Sequence, residues 1–310
     1  MRGRRSGRVV AGLGVAAAVL LAFPSLVPDT PGHLGSLLES FLPWLGAVVA
    51  LLAVVALLRR SAVALVTLLL PAAVWGFSYG RLVLPAAAPG GRELLVVQHN
   101  VGDENPDPAG TARALAGAGA DLIALQELVA PALGSYETEL AARYPYHVVR
   151  GTVGLWSRHP LTGVRPLDIR PRGIEGPWNR ALRALVRTPY GDVAAYVVHL
   201  PSVRVGSGGL ASGRRDESAV LLGRELAAER TARVVLAGDL NGSVDDRGLA
   251  PLTSVLAAPA RGFAFSFPAR LPVVRIDQVL ARGAVVPSVR TLPATGSDHL
   301  PVAARIALGP

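Results

Sequence analysis

The sequence predicts an α/β fold of two packed mixed β-sheets with helices outside, preceded by apolar helices. Three observations lead there. From Glu93 onward, short apolar runs alternate with helical patterns, and the links between runs include both helices and a tight turn. Parallel and antiparallel pairing must therefore coexist. Up to about Leu84, by contrast, the chain is nearly all Ala, Val, Leu and Gly. Finally, four polar motifs each follow or interrupt an apolar run: Gln98-His99-Asn100, Gln126-Glu127, Gly238-Asp239-Leu240-Asn241 and Ser297-Asp298-His299. Strand ends are where a sheet hands side chains to a site.

The N-terminal part contains three uncharged apolar stretches, Val9–Val27, Phe41–Leu58 and Ala62–Tyr79. Each has about the 18–20 residues that a helix needs to cross a hydrocarbon core. Three transmembrane helices are expected, with residues 1–84 forming a membrane anchor. Pro24, Pro43 and Pro71 would kink or end helices, which membrane helices tolerate. Arg2, Arg4, Arg5 and Arg8 precede the first stretch, Arg59-Arg60 divide the second from the third, and residues 28–40 contain no Arg. The positive-inside rule then places the N-terminus in the cytoplasm and everything after about Gly80 outside. A cleaved signal peptide would also fit the first stretch, but two further spans would still hold the chain in a cell membrane. Residues 85–92, with Pro85, Pro89 and paired glycines, read as a linker.

Composition bounds the rest. The chain is 51% hydrophobic, ample for a core, and has no cysteine, which excludes disulfides, thiolate catalysis and Cys-ligated zinc. The net charge of +9 is uneven: residues 1–92 carry eight Arg against Asp29 and Glu39, whereas residues 93–310 carry 23 Arg against 20 acids. The excess over the mixed-composition part is only +3, a weak footprint for nucleic acid.

Residues 93–310 supply the α/β pattern. Strands are expected at Leu94–His99, Asp121–Gln126, Gly154–Ser157, Leu182–Thr188, Val193–His199, Val234–Ala237, Ile276–Ala281 and Val302–Leu308. Helices are expected at Pro108–Gly117, around Ala132–Arg143 and at Arg214–Glu229, and a turn at Tyr190-Gly191-Asp192. The Gly/Ser-rich stretch Gly206–Gly213 reads as a mobile loop near the site.

The motifs supply carboxylates, amides and a histidine, the groups needed to hold a hard divalent cation and hydrolyse a phosphate ester. Glu127, at a strand end, offers oxygens to Mg²⁺ or Mn²⁺, and the Asn100 carboxamide can reach the same ion. Asp239 and Asn241, two apart on extended chain, can point the same way. One would orient or deprotonate a water while the other steadies phosphoryl oxygens. Asp298 can reach the metal while His299 faces the phosphate, with Asp277 orienting the imidazole and favouring its charged form. Arg180, in Trp178-Asn179-Arg180, has the forked donors for a substrate phosphate.

The order Asn…Gln-Glu…His…Gly-Asp-Leu-Asn…Ile-Asp-Gln-Val…Ser-Asp-His resembles the endonuclease/exonuclease/phosphatase superfamily from about Leu94 to Leu308. That resemblance implies a four-layer α/β sandwich with the metal site at one end of both sheets. It also implies Glu127 as principal metal ligand, Asn100 beside it, and His199 as a candidate general acid for the leaving oxygen. Family members often carry an acid two residues after the asparagine. Gly102 stands there, which leaves Asp103 and Glu104 as weak substitutes, and His99 is expected to pack locally.

The expected activity is hydrolysis of a phosphodiester or phosphomonoester, a phospholipid headgroup or nucleic acid, with Mg²⁺ (or Mn²⁺) as cofactor and the bilayer as partner. No protein partner follows from the sequence. An extracellular nuclease and a membrane scaffold that has lost catalysis are the alternatives.

Overall fold

The computed structural model of the chain describes residues 2–85 and 90–309, the side chains of 2–6 excepted. Residues 86–89 of the expected linker lie outside the described residues. The chain divides into two units: Met1–Leu84 with Val205–Ala211 and Asp245–Arg247, and Pro85–Arg204 with Ser212–Val244 and Gly248–Pro310.

The first unit is helical: α1 (Arg2–Ala22), α2 (Leu34–Ser40), α3 (Leu45–Leu58) and α4 (Ala62–Tyr79). Small residues set the spacing of its helices. A Cβ on Gly14 would stand 2.9 Å from Leu68 Cδ2, and one on Gly46 would overlap the Trp75 indole. Val10, Ala17, Val49, Ala56, Ala64 and Leu68 meet in the interior. The outward faces are apolar as well, with Leu58 80% and Phe77 90% exposed.

Among the described residues, one helix is long and apolar enough to cross a membrane: Ala62–Val83, 22 residues with mean hydropathy 1.8. The expectation of three transmembrane helices, and with it a multi-pass topology, is not supported. The prolines explain why. α1 stops at Ala22 because Pro24 opens a 3₁₀ turn at Pro24–Leu26, which leaves an apolar helix of Gly7–Ala22 only. The second stretch opens at Phe41, where a bend of 61° separates it from the short helix Leu34–Ser40. Pro43 lies in a 3₁₀ turn there, so α3 proper has 14 residues. That length rises about 21 Å, short of a hydrocarbon core of about 30 Å. Pro71 lies inside α4 without ending it.

The second unit opens with β1 (Glu93–Asn100), α5 (Pro108–Gly117), β2 (Leu122–Gln126) and α6 (Leu133–Ala141). Next come β3 (Tyr146–Arg150), β4 (Val153–Ser157), β5 (Leu161–Pro166), β6 (Ala181–Thr188) and β7 (Gly191–His199). A hairpin of β8 (Val205–Gly206) and β9 (Gly209–Leu210) belongs to the first unit. The second unit resumes with α7 (Gly213–Ala228), β10 (Val234–Asp239), α8 (Ala250–Thr253), β11 (Asp277–Arg282), β12 (Val285–Thr291) and β13 (Val302–Ala307).

These strands form two mixed sheets, ordered β12-β13-β1-β2-β4-β3 and β11-β10-β7-β6-β5. Each contains one parallel pair, β1 with β2 and β7 with β10; every other pairing is antiparallel. Val96, Leu122 and Ile306 of one sheet share a buried cluster with Val197, Val235 and Val279 of the other. On the far face of each sheet a second cluster takes in helices, Leu115 and Leu140 on one side and Leu222 and Leu226 on the other. The order is helix, sheet, sheet, helix, an α/β sandwich as expected.

β2 and β10 are buried at every position, which is why they read as unbroken apolar runs. α5 is set by Asp107, whose Oδ1 accepts from Gly110 N at 2.8 Å, with Pro108 in the first turn. The strands at β3, β5 and β12 were not expected from the sequence. All three are sheet edges with mostly exposed or half-exposed residues, so no apolar run marks them.

Two later stretches complete the first unit. Arg247 donates Nε and Nη2 to the two oxygens of buried Glu39, at 2.9 and 2.8 Å, and Nη1 to Val27 O at 3.0 Å. Leu210 N donates to Gly32 O at 2.8 Å. The Gly206–Gly213 stretch, expected as a mobile loop, thus contains a paired hairpin anchored to that glycine.

Candidate active site

The two parallel pairs explain why the polar motifs meet. In β1 and β2, Asn100 lies opposite Gln126; in β7 and β10, His199 lies opposite Asp239, which also faces Asp277 at the start of β11. The apolar residues of these strands go to the layers, and the polar ones emerge together at the carboxyl ends.

Asp239 is the hub. Its Oδ2 accepts from Asn100 Nδ2 at 3.1 Å and lies 3.6 Å from His199 Nε2 and 3.9 Å from His299 Nε2. Its Oδ1 accepts from Asn241 N at 2.9 Å. Burial destabilises the carboxylate; the His299 charge and two hydrogen bonds oppose that effect, Asp277 adds to it, and the pKa rises to about 7.

His299 has the opposite shift. Burial works against its charge, but Asp277 and Asp239 outweigh it and raise the imidazole to about 10. Its Nδ1 lies 2.8 Å from Asp277 Oδ2, and Phe267 packs on the ring at 4.9 Å between centroids. Burial would raise Asp277, but the His299 charge and its own hydrogen bonds hold it below the ordinary carboxylate value. Ser297 Oγ donates to Asn100 O at 2.8 Å and accepts from His299 N at 3.0 Å, which fastens the histidine loop to β1.

His199 is buried, and neither ring nitrogen has a hydrogen-bond partner among the described residues. Burial first, then Arg180 and His299, lower its pKa to about 3. It is a neutral imidazole, so what it can give a leaving oxygen is a neutral N–H, not the proton of an imidazolium.

Glu127 follows β2 in the left-handed region, at φ 60°, and Asn241 does so after β10, at φ 49°. Such backbone is uncommon outside glycine and concentrates at functional sites. Asn100 Nδ2 also donates to Glu127 Oε1 at 3.0 Å, and Asp103 N donates to Oε2 at 3.2 Å. Two carboxylates, Glu127 and Asp239, therefore converge on one amide nitrogen. The spot already demands an electropositive group, and the donors around it are oxygens, which fits Mg²⁺ or Mn²⁺. Ligand atoms of Asp239, Asp277 and His299 also lie within 4.8 Å of one another. There, however, both Asp277 oxygens are engaged, by His299 and by Gln98, and His299 Nε2 stands 3.9 Å from Asp239, an ion-pair distance only.

The remaining expected residues are placed as follows. Arg180 is half-buried, with Cζ 4.3 Å over the Trp178 ring. Burial lowers its pKa while the charges of Glu127, Asp239 and Asp103 oppose this, so it senses the acidic centre. Asp298 is 69% exposed, its Oδ1 4.0 Å from His299 Nε2, and no contact among the described residues brings it to Glu127 or Asn100. Asp103 reaches Glu127 through its backbone, and Glu104 is exposed. Gly102 takes φ 73°, a conformation that favours glycine over an acid there. His99 pairs locally with Thr295 Oγ1 at 2.7 Å.

Sequence reasoning named Gln98 within a polar motif but gave it no role. It is fully buried, and its Nε2 donates to Gln126 Oε1 at 2.6 Å and across to Asp277 Oδ1 at 3.0 Å, tying the two sheets together behind the dyad. The available signal was a glutamine inside an apolar strand, which must find partners.

Known structures share this fold. Sphingomyelinase C from Streptomyces griseocarneus is 21% identical over 69% of this chain and 99% of its own, with a TM-score of 0.51. D. rerio TDP2 complexed with single strand DNA product is 17% identical over 70% and 99%, with a TM-score of 0.55. A variant of beta toxin from Staphylococcus aureus with bound magnesium ions is 16% identical over 69% and 99%, with a TM-score of 0.52. No curated protein matches the sequence. Residues 97–299, which span every strand end described above, match the Endonuclease/Exonuclease/phosphatase family, and the chain belongs to it.

Proposed function

We propose that the chain is a metal-dependent phosphoric ester hydrolase, tethered to a membrane, which cleaves its substrate by in-line attack of water. The observation that carries this reading is the surroundings of Asp239. One carboxylate oxygen faces Asn100, His199 and His299 at 3.1, 3.6 and 3.9 Å.

Asp239, with a pKa of about 7, is suited to take the proton of the attacking water. His299, held as a cation by Asp277, stabilises the charge that builds on the phosphoryl oxygens. Asn241 Nδ2 donates to Leu200 O at 3.0 Å, which orients the amide and leaves its second hydrogen for a phosphoryl oxygen. Arg180 grips a substrate oxygen, and the neutral His199 gives an N–H to the leaving oxygen. Glu127, with Asn100 beside it, would hold Mg²⁺ or Mn²⁺, whose charge, when bound, polarises the phosphoryl group. The magnesium in the beta toxin structure supports that choice.

For the substrate, the exposed apolar faces of the first unit favour an ester at the bilayer, a phospholipid headgroup. In this reading α4 is the membrane span. Arg59-Arg60 lie on its cytoplasmic side, and the domain after Gly80 lies outside. Nucleic acid is the runner-up, since the likeness to TDP2 is of the same order as that to the sphingomyelinase.

The test is hydrolysis by the full chain in lipid nanodiscs, offered phospholipid vesicles, plasmid DNA and a chromogenic phosphodiester with Mg²⁺, Mn²⁺ or EDTA. Turnover that needs metal and disappears in Glu127→Ala establishes the enzyme, and the preferred substrate names its class. A folded protein that turns over none of them and binds no metal would be the inactive scaffold.

A further inference from the structure

Arg215, on α7, is fully buried and has no part in the chemistry above. Its Nε donates to Asp216 Oδ1 at 2.6 Å, and Asp216 Oδ2 accepts from Ser212 Oγ at 2.8 Å. Its Nη1 donates to the main-chain oxygen of Asn241 at 3.3 Å. One residue further, Gly242 O accepts from Nε2 of Gln278, also fully buried, at 3.1 Å. Gln278 is itself fixed, since its Oε1 accepts from Arg275 Nε at 3.0 Å and its Nε2 also donates to Arg275 O at 2.7 Å. Consecutive carbonyls of the turn that carries Asp239 and Asn241 thus end on two buried side-chain donors.

The turn has need of them. Asn241 holds its left-handed backbone, and a Cβ on Gly242 would overlap Arg215 Nη1, so the guanidinium fills the space beneath the turn. Taking a guanidinium out of water is costly, and an apolar side chain would fill the same volume without that cost. What an apolar side chain lacks is a donor aimed at one carbonyl.

We propose that Arg215, together with Gln278, is a positioning residue that locks the Asp239–Gly242 turn in its left-handed form and so aims Asp239 and Asn241 at the reacting phosphoryl group. The proposal rests on the hydrolase reading for its kinetic arm only.

Arg215→Met keeps volume and removes the donors. In the full chain, assayed on a chromogenic phosphodiester, its kcat is expected to fall about 10²-fold, the scale of a displacement of roughly 1 Å in a catalytic group. KM and Mg²⁺ affinity should stay at wild-type values. Amide hydrogen exchange, which needs no activity, should show lost protection at Asn241–Ser243 with β1, β2 and β7 unchanged. Wild-type kcat with unchanged exchange at the turn would overturn the proposal. So would a joint fall of kcat, KM performance and protection across the whole domain, which would mark a purely structural residue. If Arg215→Met does not fold, Gln278→Leu faces the same two readouts, and failure of both to fold also counts against positioning. If the wild type hydrolyses nothing, the hydrolase reading fails, while the exchange pattern still decides the clamp.

Discussion

His299 Nδ1 meets Asp277 Oδ2 at 2.8 Å in a pair closed to solvent, so the sheet behind the ring sets both its orientation and its charge. In Asp277→Asn the charge loses its partner, and His299 should fall from about 10 toward or below its ordinary value, read by NMR titration. Activity at pH 8 should drop about 10²-fold, the usual loss when one group that stabilises transition-state charge is removed. Stability follows the same pair. The raised His299 stabilises fully below its unfolded pKa of about 6.5 and ceases to do so as pH rises through about 10. The lowered Asp277 stabilises above its unfolded value and loses that effect as pH falls through its folded one. The wild-type advantage over Asp277→Asn in denaturant unfolding should therefore be largest near neutral pH and shrink at both ends.

The pH profile of kcat/KM should be bell-shaped. In the proposed mechanism activity needs Asp239 as carboxylate and His299 as cation, so it should rise through about 7 and fall through about 10. A bound divalent cation favours the carboxylate form, so increasing Mg²⁺ should move the acid limb to lower pH and leave the alkaline limb in place. A flat rate from about 4 to 10 would rule out both assignments.

Removing metal with EDTA should abolish turnover, and Mg²⁺ or Mn²⁺ should restore it. Glu127→Gln, which keeps the shape and removes the charge, should weaken Mg²⁺ binding by about 10-fold or more in calorimetry and lower kcat/KM at least as much. Unaltered Mg²⁺ affinity in that variant would place the ion elsewhere.

Arg180→Lys should not restore what Arg180→Ala loses, because the forked, ring-stacked guanidinium at 4.3 Å from Trp178 has no ammonium equivalent. Both variants should lose about 10-fold or more in kcat/KM, the scale of a charged hydrogen bond to substrate. Recovery of wild-type kinetics by lysine would reduce Arg180 to a solvated surface charge.

The central strands were legible for a physical reason. β2 and β10 are buried on both faces and must be apolar throughout, so Leu122–Gln126 and Val234–Asp239 stand out from their surroundings. Edge strands β3, β5 and β12 carry no such constraint and left no run to read. Helices fared alike: α7 was visible from Arg214 to Glu229, one residue from its observed limits at each end. Apolar length misled in the N-terminal part, since hydropathy counts residues and not backbone continuity. Pro24 and the 3₁₀ turn that contains Pro43 interrupt what composition alone made continuous.

By itself the sequence supplied the residue types of the candidate site and their order, from Asn100 to His299, because Asn100, Glu127, His199 and Asp239 stand at or just past the ends of apolar strands. Only the tertiary structure decided their states. Burial lowers His199, its two aspartates raise His299, and burial raises Asp239 toward neutrality. It also recruited Gln98, Arg215 and Gln278, whose partners lie far along the chain. A side chain's charge and aim depend on what surrounds it in space, and linear spacing does not carry that information.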